Sequence, residues 1–229
     1  MNKEEKFIQE EIRHEFQLDR MILFSDAVFA IVITLMAIEI RVPHMEGVIT
    51  QDILLNQLLQ LIPTILAYIG SFAFIGSTWY KHLKLFGLLK TYDGGLVVRN
   101  LLLLLMIGFF PFSASLVATI SYGLYLPIAI YFAAIFACSI AQLWLQHYIL
   151  IKRPQLRIHK NIEAEIRSFR ISRFIFIQFI AIFVLVTVTF LTISNPYYKY
   201  FAWWWFFIFP FPLKIYKKRL NKKYPAVKH

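Results

Sequence analysis

Six apolar runs, at roughly 22–40, 53–80, 97–119, 124–150, 171–193 and 199–215, each approach the length a helix needs to cross a hydrocarbon core. The basic residues are sorted around them. The segments before the first run, between the second and third, between the fourth and fifth, and after the sixth hold 4, 4, 7 and 7 Lys or Arg, counted with their flanking turns. The three remaining connections contain only Arg41 and Lys199, so 22 of the 24 basic residues fall on one side. By the positive-inside rule that side is cytoplasmic, and both termini are expected there. The composition agrees: 59% of the 229 residues are hydrophobic and 16% charged, against about 45–50% apolar and about 25% charged in a soluble domain. The mean hydropathy is +0.61. The expectation is an all-α, polytopic membrane protein with six transmembrane helices in the plasma membrane.

The expected organisation is a cytoplasmic N-terminal segment over 1–20, one membrane domain over 21–216 and a basic cytoplasmic tail over 217–229. The first twenty residues are rich in acid, with Glu4, Glu5, Glu10, Glu11, Glu15 and Asp19, and lack the basic-then-apolar layout of a cleaved signal. The first helix is therefore expected to stay in the protein. Pro63 near the start of the long second run predicts a kink, a tilt or an interfacial segment there. Pro210 and Pro212 interrupt the sixth run, and Trp203, Trp204 and Trp205 resemble an interfacial aromatic belt. Ala129, Ala133, Ala137 and Ala141 make a small-residue ridge along the fourth run that lets a second backbone approach, within the subunit or between subunits.

The net charge of +11 is spread over juxtamembrane loops, which suits anionic lipids at the cytoplasmic face and argues against nucleic acid. Cys138, the single cysteine, excludes an intrachain disulfide and a cysteine-rich metal site. The histidines have no ligand spacing, and no zinc-protease, phosphate-loop or nucleophile-elbow motif occurs. Neither an enzyme nor a cofactor is expected.

Candidate functional residues cluster at the start of the first run. Asp26 stands just before the apolar stretch 27–38, whose only polar residue is Thr34. A carboxylate at such a mouth is costly unless paired. At 100° per residue Ile31, Thr34, Leu35 and Ile38 share a stripe that Ala27 and Phe24 continue, while Asp26 lies about 140° away from Ile31. The stripe suits either a pore face or ordinary packing, and periodicity does not separate them. The inferred topology brings Trp79, His82 and Asn100 to the level of Ser25 and Asp26, where they form either a hydrogen-bonded clasp or an ion site. Glu39, at the outer end, is read equally as a cation attractor or a solvated end residue.

Arg20 followed by Phe24-Ser25-Asp26 and an apolar helix with Thr34, then Trp79-Tyr80-Lys81-His82, then Asn100-Leu101-Leu102-Leu103-Leu104 running on to Pro111-Phe112-Ser113, resembles the signature of the transmembrane protein 175 potassium channels of lysosomes and bacteria. The motifs lie in the first half of the chain. The resemblance implies a homotetramer of the bacterial single-repeat type, passing potassium, and sodium less readily, through a pore lined by the first helix. It places the hydrophobic constriction at Ile31, Leu35 and Ile38, potassium preference at Thr34, and a helix-joining polar cluster at Arg20, Phe24, Ser25, Asp26, Trp79, His82 and Asn100. The Thr-Val-Gly-Tyr-Gly selectivity loop of ordinary potassium channels is absent, as the family leads one to expect. The rival readings are a secondary cation transporter, whose flux would saturate and need a coupling ion, and a non-conducting membrane scaffold.

Overall fold

The computed structural model describes residues 3–38, 40, 50–120, 125–158, 162–192 and 210–223, and it is helical. In chain order the helices are α1 (Lys3–Ile38), α2 (Gln51–Gln60), α3 (Ile62–Phe86), α4 (Gly94–Gly108), α5 (Phe110–Ile120), α6 (Tyr125–His147), α7 (Glu163–Thr192) and α8 (Pro210–Lys223). They fall into two compact units, Met1–Ile158 and His159–His229.

Among the described residues, five stretches are long and apolar enough to cross a membrane: Glu15–Ile38, Gln51–Phe86, Gly94–Val117, Leu126–Lys152 and Glu163–Thr189. The protein is therefore a multi-pass membrane protein. Most of the expected sixth span, with Trp203, Trp204 and Trp205, lies outside the described residues, as do Glu39, Arg41 and Lys199. Pro210 and Pro212 stand in the first turn of α8, where the missing N–H of a proline costs no helical bond. The expected boundaries at 20/21 and 216/217 both fall inside continuous helices. The reason is that Glu, Lys, Arg and Gln, which mark those segments as polar, are also strong helix formers. At 36 residues, α1 is about 54 Å long at 1.5 Å per residue. A hydrocarbon core is about 30 Å thick, so the charged N-terminal turns extend beyond it.

Proline sets the breaks. Pro63 opens α3 and leaves Leu61 as the joint with α2, which answers the expected irregularity in the second run. Pro111 cannot donate to the carbonyl of Ile107, and α4 passes into α5 two residues before it, at Phe109.

In the first unit α1 packs on α3, α4 and α5, and α6 closes the far side of α4 and α5. Phe29, Val32 and Met36 carry the buried face of α1. Helix α6 buries Ala134, Cys138, Ala141 and Leu145, whereas Ala129 and Ala133 remain exposed. A four-residue repeat turns by 40° at each step, so the alanine ridge winds out of the protomer core and only its last member packs inside it.

The basic-side connections are tied together. The α3–α4 and α6–α7 links pair at Leu89 and Arg157, with Lys90 N–H donating to the Leu156 carbonyl at 2.9 Å and Ile158 N–H to the Leu88 carbonyl at 2.8 Å. Asp93 caps α4 through Leu96 N–H at 2.7 Å and accepts from the Tyr148 hydroxyl at 2.7 Å. Tyr148 starts a π-helical turn (Tyr148–Lys152) closed by Arg153 N–H on the Tyr148 carbonyl at 2.9 Å. The Arg99 guanidinium lies over the Trp144 and Tyr148 rings, 4.5 and 4.0 Å from their centroids. A side chain at Gly95 would collide with the Tyr148 phenol, which Asp93 and Arg99 hold in place. In the second unit α8 lies on α7, with Phe174 and Tyr216 stacked at 4.2 Å between centroids.

Gly95→Ala should therefore destabilise the fold by about 1–3 kcal/mol, the usual cost of overpacking. Gly94→Ala, with open space around it, should be neutral or stabilising. Thermal unfolding in detergent checks both; equal melting of the two variants would contradict the packing of Tyr148 against Gly95.

Candidate functional site

The polar residues near Asp26 divide into two sets. One is buried and joins three helices. The Asn100 side-chain amide donates to Ser25 Oγ at 2.8 Å, Ser25 Oγ donates to the Met21 carbonyl at 2.8 Å, and His82 Nε2 lies 2.9 Å from Asn100 Oδ1. Ser25 and His82 are fully buried and Asn100 nearly so. The direction of these bonds fixes the histidine. Because the Asn100 amide nitrogen serves Ser25, its oxygen faces His82, so His82 Nε2 carries the proton. Nδ1 has no partner. The ring sits against Phe86, stacked at 3.9 Å, and Phe29, tilted at 5.5 Å.

The second set lies toward the surface: Trp79 Nε1–H donates to Asp26 Oδ1 at 2.9 Å, tying α3 to α1. The anticipated cluster is thus a buried Ser25, Asn100 and His82 chain beside a separate Asp26 and Trp79 pair. Arg20 and Phe24 make no hydrogen bond in either. They line an open cavity of about 320 Å³ with Gln17, Met21, Val97, Asn100 and Leu101. Gln17 also accepts from the Tyr92 hydroxyl, which holds the N-terminal part of α1 to the α3–α4 connection.

The α1 stripe lies outside the protomer core. Ile31, Leu35 and Ile38 are 56%, 44% and 66% exposed, on the side away from Ser25, Phe29, Val32 and Met36. Thr34 is exposed, and its hydroxyl lies 2.8 Å from the Ile31 carbonyl and 3.1 Å from that of Ala30. Its proton is thus spent on the helix, as expected of a threonine in an apolar helix. The two lone pairs of Oγ1 remain as acceptors on the exposed face.

Sequence reading missed the Asp93, Arg99, Trp144 and Tyr148 cluster. Its only linear signal is the Asp-Gly-Gly helix start, since Tyr148 reaches Asp93 from 55 residues away. Buried Gln142 and Gln146 carry no linear signal; both Gln142 amide atoms and Gln146 Oε1 are unpartnered among the described residues. Among the described residues no group of three or more His, Cys, Asp or Glu is placed to hold a metal ion.

Residues 20–111 match the family model described as endosomal/lysosomal potassium channel TMEM175, a stretch that contains both polar sets and the whole α1 stripe. This stretch is similar to the transmembrane protein 175 family. A relative from Chamaesiphon minutus named as a potassium channel is 40% identical over 108 residues, covering 47% of this chain and 53% of that protein. One from Chryseobacterium, also named as a potassium channel, is 32% identical over 131 residues, 57% of this chain and 64% of its own length. The chain thus spans between about half and two thirds of these relatives. A zebrafish relative named as an endosomal/lysosomal proton channel is 31% identical over 102 residues, 44% of this chain and 19% of that protein. The fold agrees with the crystal structure of a lysosomal potassium-selective channel TMEM175 homolog from Chamaesiphon minutus. The TM-score is 0.62 at 25% identity, over 90% of this chain and 98% of that one.

Asn100 serves two partners, whereas Ser25 keeps its Met21 acceptor. Each buried polar group left unsatisfied costs about 1–3 kcal/mol. Either substitution orphans one buried donor, and Asn100→Ala also leaves the larger cavity, so it should lower the melting temperature more than Ser25→Ala. The opposite order would contradict the packing of Asn100 between His82 and Ser25.

Proposed function

We propose that the protein is a potassium-permeable cation channel, a homotetramer of six-span subunits in which the α1 helices surround a passive pore. The observation that carries this reading is the stripe of Ile31, Thr34, Leu35 and Ile38, apolar but for one hydroxyl and left uncovered by the protomer. The names of the bacterial relatives and of the similar crystal structure supply the permeant ion. In a tetramer four such stripes meet on the axis. Rings of branched side chains at Ile31, Leu35 and Ile38 narrow the path and exclude water when closed, which is gating by dewetting.

Thr34 supplies the polar ring. Its hydroxyl proton is directed at helix carbonyls, so the axis meets oxygen lone pairs and no donor. Four such oxygens replace part of a cation's hydration shell. Potassium gives up its water more cheaply than sodium, so it passes more readily and sodium less so. No cofactor or catalytic group enters this mechanism. The Asp26 and Trp79 pair and the Ser25, Asn100 and His82 chain hold α1 at fixed rotation against α3 and α4, which keeps the stripe on the axis. The basic loops place both termini on the cytoplasmic side of a plasma membrane, facing anionic lipids.

Two substitutions test the stripe. Ile31→Asn should wet the constriction and raise cation leak several-fold; unchanged flux in a folded tetramer would remove Ile31 from the gate. Thr34→Val, which keeps the shape and deletes the oxygen, should reduce the preference for potassium. The reversal potential under bi-ionic potassium and sodium reads this, and an unaltered value would count against the hydroxyl ring. A proton gradient in the same experiment tests the ion named for the zebrafish relative.

A further inference from the structure

The second unit carries a surface that the channel reading does not use. Residues 214–223 of α8 hold six Lys or Arg and no acid. The inner face of the helix is fixed by its contacts with α7: Tyr216 stacks on Phe174, Leu220 is buried, and Asn221 Oδ1 accepts from Arg167 Nη1 at 3.4 Å. Helical geometry then turns Phe211 and Ile215, one turn apart, away from α7. They are 71% and 46% exposed. Lys214 and Lys218 lie along one side of this apolar pair and Arg219 along the other. All three cations are exposed, and no carboxylate pairs with any of them among the described residues.

Two features of this face are unfavourable in water. Like charges one turn apart, as at Lys214 and Lys218, repel, and a phenyl and a branched alkyl group lie uncovered between cations. One kind of partner relieves both. A membrane surface with anionic headgroups lets the apolar pair sink below the phosphates while the cations meet them. The position of α8 on α7 gives the depth. Arg167 and Phe174 of α7 stand level with Asn221 and Tyr216 of α8. In α7 the segment containing Arg167, Arg170 and Arg173 gives way at residue 174 to a run with no charge up to Thr192. Helix α8 therefore lies beside the part of α7 where charged sequence becomes apolar, which is the level of a membrane boundary.

We propose that α8 is an anionic-phospholipid site, in which Phe211 and Ile215 enter the acyl boundary and Lys214, Lys218 and Arg219 hold the headgroup phosphates. A free phosphate would meet the cations and leave the apolar pair in water, so the lipid is the better match. The site requires only that the protein be in a membrane and is independent of what crosses it.

The test is native mass spectrometry of the full chain in neutral detergent, titrated with dioleoyl phosphatidylglycerol and with dioleoyl phosphatidylcholine. The wild type should retain phosphatidylglycerol preferentially, and less of it as salt is raised. The combined variant Lys214→Gln, Lys218→Gln, Arg219→Gln should weaken phosphatidylglycerol binding at least about tenfold, from the loss of three headgroup contacts. Lys84→Gln with Lys90→Gln, which removes charge from the other unit, should weaken it less than the triple variant does. Phe211→Ser with Ile215→Ser should weaken the lipid while leaving any binding of glycerol 1-phosphate unchanged. Equal retention of the two lipids by the wild type, or undiminished phosphatidylglycerol binding by the folded triple variant, would overturn the site. Loss to glycerol 1-phosphate competition with no effect of the Phe211 and Ile215 changes would replace it with a free-anion site. Equal retention of the two lipids by the wild type overturns the site even if a variant fails to fold.

Discussion

The buried hydrogen bonds from Ser25 to Asn100 and from Asn100 to His82 set the rotation of α1, and the arrangement of the first unit depends on that rotation. In an apolar surrounding a polar side chain without a partner is costly, so the three residues admit few relative positions of their helices. Once Ser25 faces α4, Phe29, Val32 and Met36 must follow it inward, because they lie on the same side of the helix. Ile31, Thr34, Leu35 and Ile38 must then face out. The exposure of the stripe is thus a consequence of the polar chain on the opposite face.

The same logic separates the two polar sets. Ser25, Asn100 and His82 are buried, and their hydrogen bonds to one another and to the Met21 carbonyl leave only His82 Nδ1 of their side-chain polar atoms without a partner among the described residues. Asp26 sits nearer the surface, where the Trp79 N–H meets one of its oxygens at 2.9 Å. Adjacent residues on a helix point about 100° apart, so Ser25 and Asp26 reach different neighbours, Asn100 on α4 and Trp79 on α3. Two consecutive side chains in this way fix α1 against two helices at once.

Much of this was legible in the sequence. Apolar run length gave the spans of the described helices to within several residues, because the hydrocarbon thickness fixes their length. Pro63 marked the α2–α3 joint. Topology brings Ser25, Asp26, Trp79, His82 and Asn100 to one level, and the motifs lie within the stretch that matches the family model. What composition could not convey is direction. Nothing linear indicates that Asn100 turns its nitrogen to Ser25 and its oxygen to His82, or that Arg20 and Phe24 line a cavity and stay out of the polar chain. Tyr148, 55 residues from Asp93, is aimed by a π-helical turn, a backbone feature without a residue signature. The charged sequences at both ends continue as helix, because Glu, Lys and Arg are strong helix formers whatever their polarity.

The central claim is that the uncovered α1 stripe bounds a passive path for potassium. Purified protein in liposomes, given outward potassium or sodium gradients, with valinomycin added at the end to establish vesicle integrity, tests it most directly. The account predicts flux that does not saturate, needs no coupling ion and is greater for potassium than for sodium. Saturating flux that requires a second ion would point to a transporter. Intact oligomers that pass neither ion across a range of pH and voltage would contradict the claim and leave a membrane scaffold built on the same fold.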